Sequence, residues 1–180
     1  MLSSLVVKNF RALEDFEVPK LGRVNLIVGK NNSGKSSLLE ALYIYAGNAH
    51  RALLEHIAAS HEEKYRLKDG ERVEQDIKLP FEDYFSGRQF AATDDKPILI
   101  GESADGEGTL QIQRVFLLEK KETVKDATGE TSTHRRNIIL KSSLPRKAED
   151  ESITQVLLVT KGDNSFFITL DTQNNTYSGT

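Results

Sequence analysis

The sequence predicts an α/β fold, and three observations support this prediction. An apolar, β-branched run at Val24–Val28 leads directly into a glycine. Apolar residues then recur at helical spacing in the segment that follows. From Pro97 onward the pattern changes to apolar runs separated by turn residues, which is typical of antiparallel strands. The chain therefore starts with a strand–loop–helix unit and continues into a β-rich lobe.

Three N-terminal segments have the composition of strands, namely Leu5–Phe10, Phe16–Val18 and Val24–Val28. In the first segment, alternation predicts that three side chains face inward, which are Leu5, Val7 and Phe10. The third segment is bounded by Gly29 and has the continuous apolar character of a buried strand.

Two helices are predicted next. The first begins at Ser33 or Gly34 and ends at Gly47, and its apolar positions are Leu38, Leu39, Leu42 and Tyr45. We expect Leu38, Leu39 and Leu42 to seat this helix on the sheet. The second helix covers roughly Ala49–Lys64, with apolar residues at Leu53, Leu54, Ile57 and Ala58. A further helical turn is predicted at Pro80–Gly87.

The β-rich lobe is predicted to contain strands at Ile98–Glu102, Thr109–Thr123, His134–Leu140, Ile153–Thr160 and Ser165–Leu170. The longest of these places one set of side chains on a single face, namely Leu110, Ile112, Arg114 and Phe116. Turn residues join the strands at Asp126–Glu130 and Gly162–Asn164, and a polar loop covers Lys141–Ser152.

These elements divide the chain into a strand–loop–helix core at residues 1–47, a helical segment at 48–96 and a β-hairpin lobe at 97–180. The last residues, Asp171–Thr180, resemble a turn rather than the end of a domain. We therefore expect the rest of the domain to lie beyond residue 180.

Composition excludes several classes of protein. The net charge is −3 and there are no cysteines, so disulfides, cysteine-ligated zinc and a strongly basic nucleic-acid footprint are excluded. The N-terminus lacks the basic and apolar regions of a signal peptide, and no window approaches the roughly 18 apolar residues of a membrane span. We expect a cytoplasmic protein without a membrane partner, in which nucleic-acid binding would need a local patch.

The loop from Gly29 to Ser36 matches the phosphate-binding pattern G-x-x-x-x-G-K-S/T in full. Gly29 and Gly34 allow the backbone to approach a polyphosphate without Cβ clashes. Successive N–H groups of Asn31, Asn32 and Ser33 then form an anion nest that ends at a helix N-terminus. The pattern therefore predicts an ATP site.

Three side chains at the end of this loop have predicted roles. Lys35 is expected to reach the β- and γ-phosphate oxygens, and Ser36 is expected to place its hydroxyl on Mg²⁺. Ser37 is expected to cap the helix or contact the α-phosphate. ATP and Mg²⁺ are therefore the predicted cofactors.

Two stretches carry a resemblance to a known group of ATPases. Leu5-Val6-Val7-Lys8-Asn9-Phe10-Arg11 resembles the opening strand of the SMC, RecF and OLD group, and Asn25–Leu42 is similar to their Walker A block. Asn32 stands where SMC and RecF proteins usually have glycine, and this variant of the loop looks closest to the OLD-like branch. That branch includes stand-alone bacterial ATPases, many of them in anti-phage defence systems. The resemblance implies the N-terminal part of a P-loop head of ABC/SMC type with an antiparallel β-lobe.

The resemblance also implies a dimer that holds ATP between two protomers, in which an arginine after the first strand can lie near the nucleotide. Arg11 has this position, although a surface arginine in a turn explains it equally simply. Gln111 and Gln113 are candidates for the magnesium-touching glutamine of such heads, although glutamines in strands commonly just face solvent.

The catalytic half of such a head is not found in the sequence. No Leu-Ser-Gly-Gly signature is present, and no strand ends in the Asp-Glu pair of a Walker B motif. Phe166–Asp171 and Ile98–Glu102 imitate it only in part. No catalytic residue is therefore identified, and this chain alone is expected to turn over almost no ATP.

Other candidate sites have simple structural explanations. The four histidines, at 50, 56, 61 and 134, do not have the spacing of a metal site and fit solvated helix residues. The basic residues that flank the long hairpin alternate with acidic ones, as in a solvated hairpin.

Three functions remain open at this point. The first is an OLD-like ATPase head that forms a homo-dimer or larger oligomer around ATP and controls an effector protein in phage defence. The second is a DNA-repair or chromosome-associated head of the RecF or SMC type. The third is a nucleotide-gated scaffold that hydrolyses ATP negligibly.

Overall fold

The computed structural model describes residues 2–61, 81–90, 96–125, 131–140 and 152–170. Within these ranges, seven strands form one sheet. They are β1 (Leu5–Phe10), β2 (Leu13–Val18), β3 (Ile98–Gly101), β4 (Leu110–Lys125), β5 (Thr131–Leu140), β6 (Ser152–Lys161) and β7 (Asn164–Thr169). The helices are α1 (Lys35–Ala46) and α2 (Arg51–Ser60), with two 3-10 turns at Phe81–Tyr84 and Ser86–Arg88.

The strands follow the spatial order β2-β1-β3-β4-β6-β7, and β5 pairs with the distal half of β4. Every pair of neighbouring strands in this part of the chain is antiparallel. β3 joins the N-terminal hairpin to the lobe, because it pairs with β1 on one side and β4 on the other. The predicted combination of helices and an antiparallel lobe is thus confirmed.

The core lies between the sheet and the two helices. Leu5, Val7 and Phe10 of β1 are buried as predicted, and they share one hydrophobic cluster with Leu38 and Ile44 of α1. β1 and β2 are joined by a tight turn at Arg11 and Ala12, because Phe10 at the end of β1 pairs with Leu13 at the start of β2. This turn brings Arg11 close to the start of α1.

The predicted end of α1 at Gly47 is confirmed, and the buried residues of α2 are the predicted ones, Leu53, Leu54, Ile57 and Ala58. However, α2 begins at Arg51 instead of Ala49. Asn48 and Ala49 both have a φ of 51°, which is incompatible with a right-handed helix. His50 is extended and its Nδ1 accepts a hydrogen bond from the Leu53 N–H, which caps α2. The predicted extension to Lys64 lies outside the described residues.

The prediction for Leu39 was wrong. The α1 side chains that pack on the sheet are Leu38, Ala41 and Ile44, with Leu42 and Tyr45 half-buried beside them. Successive helix residues are turned by about 100°, so Leu39 faces away from Leu38 and is 59% exposed. Tyr43, four residues later, shares this outward face and is also exposed.

The prediction that Val24–Val28 is a buried strand was also wrong. Val24, Leu26 and Val28 are 91%, 88% and 77% exposed, and the segment belongs to no strand. A strand needs a neighbour to pair its N–H and C=O groups. In the described part of the chain, no strand pairs with this segment. Its apolar composition alone therefore provides neither strand hydrogen bonds nor burial.

The β-lobe agrees with the predicted strands, and the hairpin at Gly162 and Asp163 is confirmed. The predicted single inward face of β4 is only partly correct. Leu110, Ile112, Phe116 and Leu118 are buried on one face, but Gln113 and Val115 on the opposite face are buried too, so both faces of β4 are covered there. The helical turn predicted at Pro80–Gly87 corresponds to the two 3-10 turns. The turn at 126–130, the loop at 141–151 and the tail at 171–180 lie outside the described residues.

Candidate nucleotide-binding site

The glycine-rich loop has the close backbone packing that its sequence predicts. A Cβ atom on Gly29 would lie 2.6 Å from Ser33 Oγ, so any other residue here would require the Ser33 side chain to move. Asn32 and Gly34 have positive φ values of 61° and 88°, whereas Ser33 between them does not have a positive φ. Left-handed residues therefore alternate with others in this loop. Alternation of this kind is the backbone pattern of an anion nest, in which successive N–H groups turn to one side. In this structure the Ser33 N–H donates to the Lys30 carbonyl at 3.3 Å.

Helix α1 starts immediately after this nest, and its N-terminus has no side-chain cap. Gly34 occupies the cap position without a side-chain hydrogen bond, and the first turn contains no acidic residue. Lys35, Ser36 and Ser37 therefore begin the helix with N–H groups that have no intrahelical partner. An uncapped N-terminus with these residues is chemically suited to an anion such as phosphate.

Lys35 is folded back over the loop. Its Nζ donates hydrogen bonds to the carbonyl oxygens of Gly29, at 3.0 Å, and Lys30, at 2.7 Å. These contacts hold the ammonium group at the loop itself. A positive charge is thus placed beside the N–H groups, where it would strengthen the attraction for a polyphosphate.

A cavity of about 610 Å³ opens beside the loop. This volume is within the usual range for small-molecule sites, roughly 300–1,000 Å³. One wall consists of the loop and the start of α1, from Asn32 to Ser37. The other walls are supplied by residues from the β1–β2 turn, the middle of α1, the end of α2 and the 3-10 turns, namely Arg11, Ala12, Glu40, His61, Asp83, Gly87 and Arg88.

The structure brings most of the predicted site residues to this one cavity, namely Asn32, Ser33, Gly34, Lys35, Ser36, Ser37 and Arg11. Gly29 and Asn31 do not line it, although the Gly29 carbonyl holds Lys35. Gln111 and Gln113 do not line it either; they lie near the start of β4, where β4 pairs with β6. Their candidacy as magnesium ligands gains no support from this position.

Arg11 is held firmly at the cavity wall. Its φ is 48°, and its N–H donates to the Tyr84 carbonyl at 2.9 Å. Its guanidinium carbon lies 4.9 Å from the centre of the Tyr84 ring, and its Nε lies 2.8 Å from Glu40 Oε2. The simple explanation of Arg11 as a solvent-facing turn residue does not fit, because its side chain is only 11% exposed.

Sequence reasoning missed four cavity residues with ionisable side chains, namely Glu40, His61, Asp83 and Arg88. Glu40 is four residues after Ser36, so helical spacing alone puts it on the same face and could have revealed it. The other three come from distant parts of the sequence, and no local pattern marks them. His61 was considered only as a metal ligand, whereas its Nε2 lies 2.6 Å from Glu40 Oε1.

A magnesium ion fits this site only in part. Mg²⁺ in nucleotide sites takes one or two protein oxygens together with phosphate oxygens and water. Ser36 supplies a hydroxyl at the cavity, and the uncapped helix start next to it suits the phosphates that would share the ion. Among the described residues, no group of three or more histidine, cysteine or acidic side chains is arranged to hold a metal ion.

The two segments that partly resemble a Walker B motif, Ile98–Glu102 and Phe166–Asp171, gain no support as catalytic elements. Glu102 Oε1 accepts hydrogen bonds from both the backbone N–H and the hydroxyl of Ser3, and these bonds lower the pKa of the Glu102 carboxyl. This glutamate therefore anchors the N-terminus to the sheet. Asp171 lies outside the described residues.

The loop, the helix that follows it and the shared cavity define the class of a P-loop domain. The chain belongs to the AAA ATPase domain family, which it matches over residues 1–178.

Several curated relatives match parts of the chain. It is 41% identical over 49 residues to an ATP/GTP phosphatase of Helicobacter pylori, which covers 27% of this chain and 13% of the relative. It is 34% identical over 80 residues to the DNA replication and repair protein RecF of Pseudoalteromonas translucida, covering 44% and 22%. It is 48% identical over 48 residues to an OLD nuclease of Thermus scotoductus, covering 27% and 9%.

These matches confirm the resemblance to OLD and RecF ATPases. The chain spans less than a quarter of the length of these relatives. No solved structure matches it. Among the described residues, no helix is both long enough and apolar enough to cross a membrane.

Proposed function

We propose that this chain binds Mg-ATP and is the N-terminal part of an ATPase head of ABC/SMC type. The observation that carries this proposal is the uncapped start of α1, where Lys35 and Ser36 meet the loop at one cavity. Loop N–H groups and Lys35 would hold the β- and γ-phosphates, and Ser36 would bind Mg²⁺. Ser37 would contact the α-phosphate, and Arg11 would add a cation at the opposite wall.

Hydrolysis would require residues outside the described ranges. The exposed apolar segment Val24–Val28 lies directly before the loop, and the outward face of α1 carries exposed Leu39 and Tyr43. Large exposed apolar groups on neighbouring elements favour a missing covering layer. We propose that additional strands of the same protein, which also carry the catalytic carboxylates, cover this surface. The division into residues 1–47, 48–96 and 97–180 remains a proposal of the same kind.

At the level of the whole protein, we propose a head that dimerises around Mg-ATP and controls an effector protein in bacterial anti-phage defence. The similarity to an OLD nuclease and the Asn32 variant of the loop support this choice. The RecF-like alternative is supported by a comparable match. The net charge of −3 favours the first alternative, because a DNA-binding head benefits from a basic surface.

The experiment that tests the nucleotide site is Mg-ATP binding by titration calorimetry with the Lys35→Ala variant. Charge-assisted hydrogen bonds to phosphate contribute about 1.5–3 kcal/mol. We therefore expect the affinity to fall by at least about tenfold. Lys30→Ala is the matched control, since it removes an exposed lysine of the same loop that does not line the cavity. Equal affinities of the wild-type and Lys35→Ala chains would refute the proposed site.

Hydrolysis by this chain is compared with hydrolysis by a version extended to the natural end of the gene product. If only the longer chain hydrolyses ATP, the proposal of a divided head is supported. If both bind and neither hydrolyses, a nucleotide-gated scaffold becomes the better proposal. Hydrolysis by residues 1–180 that is lost in Ser36→Ala would contradict the expected position of the catalytic residues.

A further inference from the structure

The Glu40 carboxylate is shared between two basic side chains beside the phosphate-binding loop. Oε2 lies 2.8 Å from Arg11 Nε, and Oε1 lies 2.6 Å from His61 Nε2. Its side chain is only 14% exposed, and all three residues line the cavity that contains Lys35 and Ser36. Three separate elements are therefore joined at one carboxylate.

A carboxylate is an unfavourable neighbour for a polyphosphate if only charge is considered. At a separation of several ångströms, two like charges repel by an amount that grows as the site loses water. A cavity selected only for positive potential would lack Glu40. A buried ion pair is also weak evidence for stability, because desolvation offsets much of the attraction. The position of Glu40 thus needs another explanation.

The contacts of Arg11 supply this explanation. Its backbone is left-handed, which costs a non-glycine residue free energy and is commonly retained where function requires it. Its guanidinium packs over the Tyr84 ring, and the ion pair with Glu40, at 2.8 Å, holds the Nε edge of the guanidinium beside α1. A planar guanidinium held along one edge has a defined orientation, which a flexible cation on the surface lacks.

We propose that Glu40 is a positioning residue that orients the Arg11 guanidinium toward the phosphates of a nucleotide bound at the loop. His61 holds the second carboxylate oxygen and so fixes the rotation of the Glu40 carboxylate. This inference rests on the proposed function, because it needs a polyphosphate at Lys35 and Ser36. It assigns Glu40 no contact with the ligand.

The test is a double-mutant cycle on Mg-ATP and Mg-tripolyphosphate affinity with Glu40→Gln, Arg11→Gln and the double variant. Positioning predicts that Glu40→Gln weakens binding about threefold to tenfold, although it removes a negative charge. Simple electrostatics predicts tighter binding. In the Arg11→Gln background, where no guanidinium remains to be oriented, Glu40→Gln is expected to leave affinity unchanged or to raise it. An equal effect on tripolyphosphate would place the lost contact at the phosphates.

Glu55→Gln is the matched control, because Glu55 also pairs with an arginine, Arg51 at 2.7 Å, but lies away from the cavity. Thermal unfolding without ligand reports whether each variant is folded. If Glu40→Gln folds poorly, Arg11→Lys tests the same orientation, since it keeps the charge and loses the planar guanidinium. We expect weaker binding than in the wild type.

Unchanged or tighter binding by Glu40→Gln, or a loss of equal size in both Arg11 backgrounds, overturns the inference. Wild-type affinity in Arg11→Lys also overturns it. The Lys35→Ala variant separates the two proposals. If Lys35→Ala abolishes binding while the cycle shows no coupling, the nucleotide site stands and the positioning of Arg11 fails. If the wild-type chain binds neither ATP nor tripolyphosphate, both proposals fail.

Discussion

Replacing Gly34 by alanine tests whether the turn into α1 depends on a left-handed residue. Gly34 has a φ of 88°, a conformation that costs an L-residue about 1–2 kcal/mol. Alanine also reduces the entropy of the unfolded chain, which offsets about 0.4–1 kcal/mol of that cost. The backbone alone should therefore lower the free energy of unfolding by about 0.5–1 kcal/mol.

A steric cost is added to this backbone cost. The new Cβ would lie 3.0 Å from Leu13 Cδ2, and Leu13 is buried in the core, so it has little room to move. We expect a total loss of about 1–2 kcal/mol, because a tight contact with a confined side chain adds a cost of the kind seen for overpacked cores. Urea unfolding followed by circular dichroism measures this loss.

Two other glycines separate the backbone cost from the steric cost. Gly87 also has a positive φ, of 77°, but a Cβ there would meet only the Gln89 side chain at 3.8 Å, so Gly87→Ala reports the backbone cost. Gly108 has no positive φ and a Cβ would meet only Tyr45 Oη, also at 3.8 Å, so Gly108→Ala should be neutral or slightly stabilising. A Gly34→Ala loss no larger than that of Gly108→Ala would refute the reasoning.

Two further predictions concern the fold. Leu54→Ala should lower the free energy of unfolding by about 2–5 kcal/mol because it empties a fully buried position, whereas Leu39→Ala on the exposed face of α1 should change it by less than about 0.5 kcal/mol in the chain alone. Urea titrations of both variants check this, and equal losses would contradict the assigned faces. Hydrogen bonds from Ser3 lower the pKa of Glu102, so the stability they provide is present above the ordinary pKa of 4.5 and is lost as pH falls through the lower folded value. Glu102→Gln should therefore flatten the dependence of the unfolding midpoint on pH below about 5, and an unchanged acid dependence would contradict it.

Most elements of the fold are predictable because their patterns are local. Phe10 and its alternating neighbours mark β1, and Leu53, Leu54 and Ile57 mark α2, since each pattern reports burial against one surface. The start of α2 was less predictable. Two consecutive left-handed residues, Asn48 and Ala49, delay it. Asparagine commonly adopts this conformation, but nothing marks it at Ala49.

Val24–Val28 shows that a local sequence pattern does not by itself predict burial or strand pairing. Its composition predicts an extended, buried segment, but burial and pairing depend on a neighbour that composition does not specify. In the described part of the chain this neighbour is absent, and the segment is exposed. The same pattern would be compatible with a central strand once a partner lies beside it.

The residues of the candidate site also differ in whether the sequence reveals them. Residues from Asn32 to Ser37 are consecutive, so a motif reveals them together. Glu40, His61 and Arg88 come from α1, the end of α2 and a 3-10 turn, and only folding brings them to one cavity. Sequence distance hides such residues from motif reasoning, and the ion pairs of Glu40 became visible only with the structure.

The loop conformation depends on contacts that are already present in this chain. Gly29 packs against Ser33, Gly34 packs against Leu13 of β2, and Lys35 bonds to two loop carbonyls. None of these contacts involves the exposed segment 24–28, although that segment enters the loop directly. We therefore expect that phosphate binding can be tested on residues 1–180. Hydrolysis additionally requires a carboxylate and a water-positioning group near the γ-phosphate. In the proposed function, these groups belong to elements that cover Val24, Leu26 and Val28. Loss of ATP binding and loss of ATP hydrolysis should therefore be separable. We expect Lys35→Ala to remove both, and substitutions of Leu26 to affect only hydrolysis.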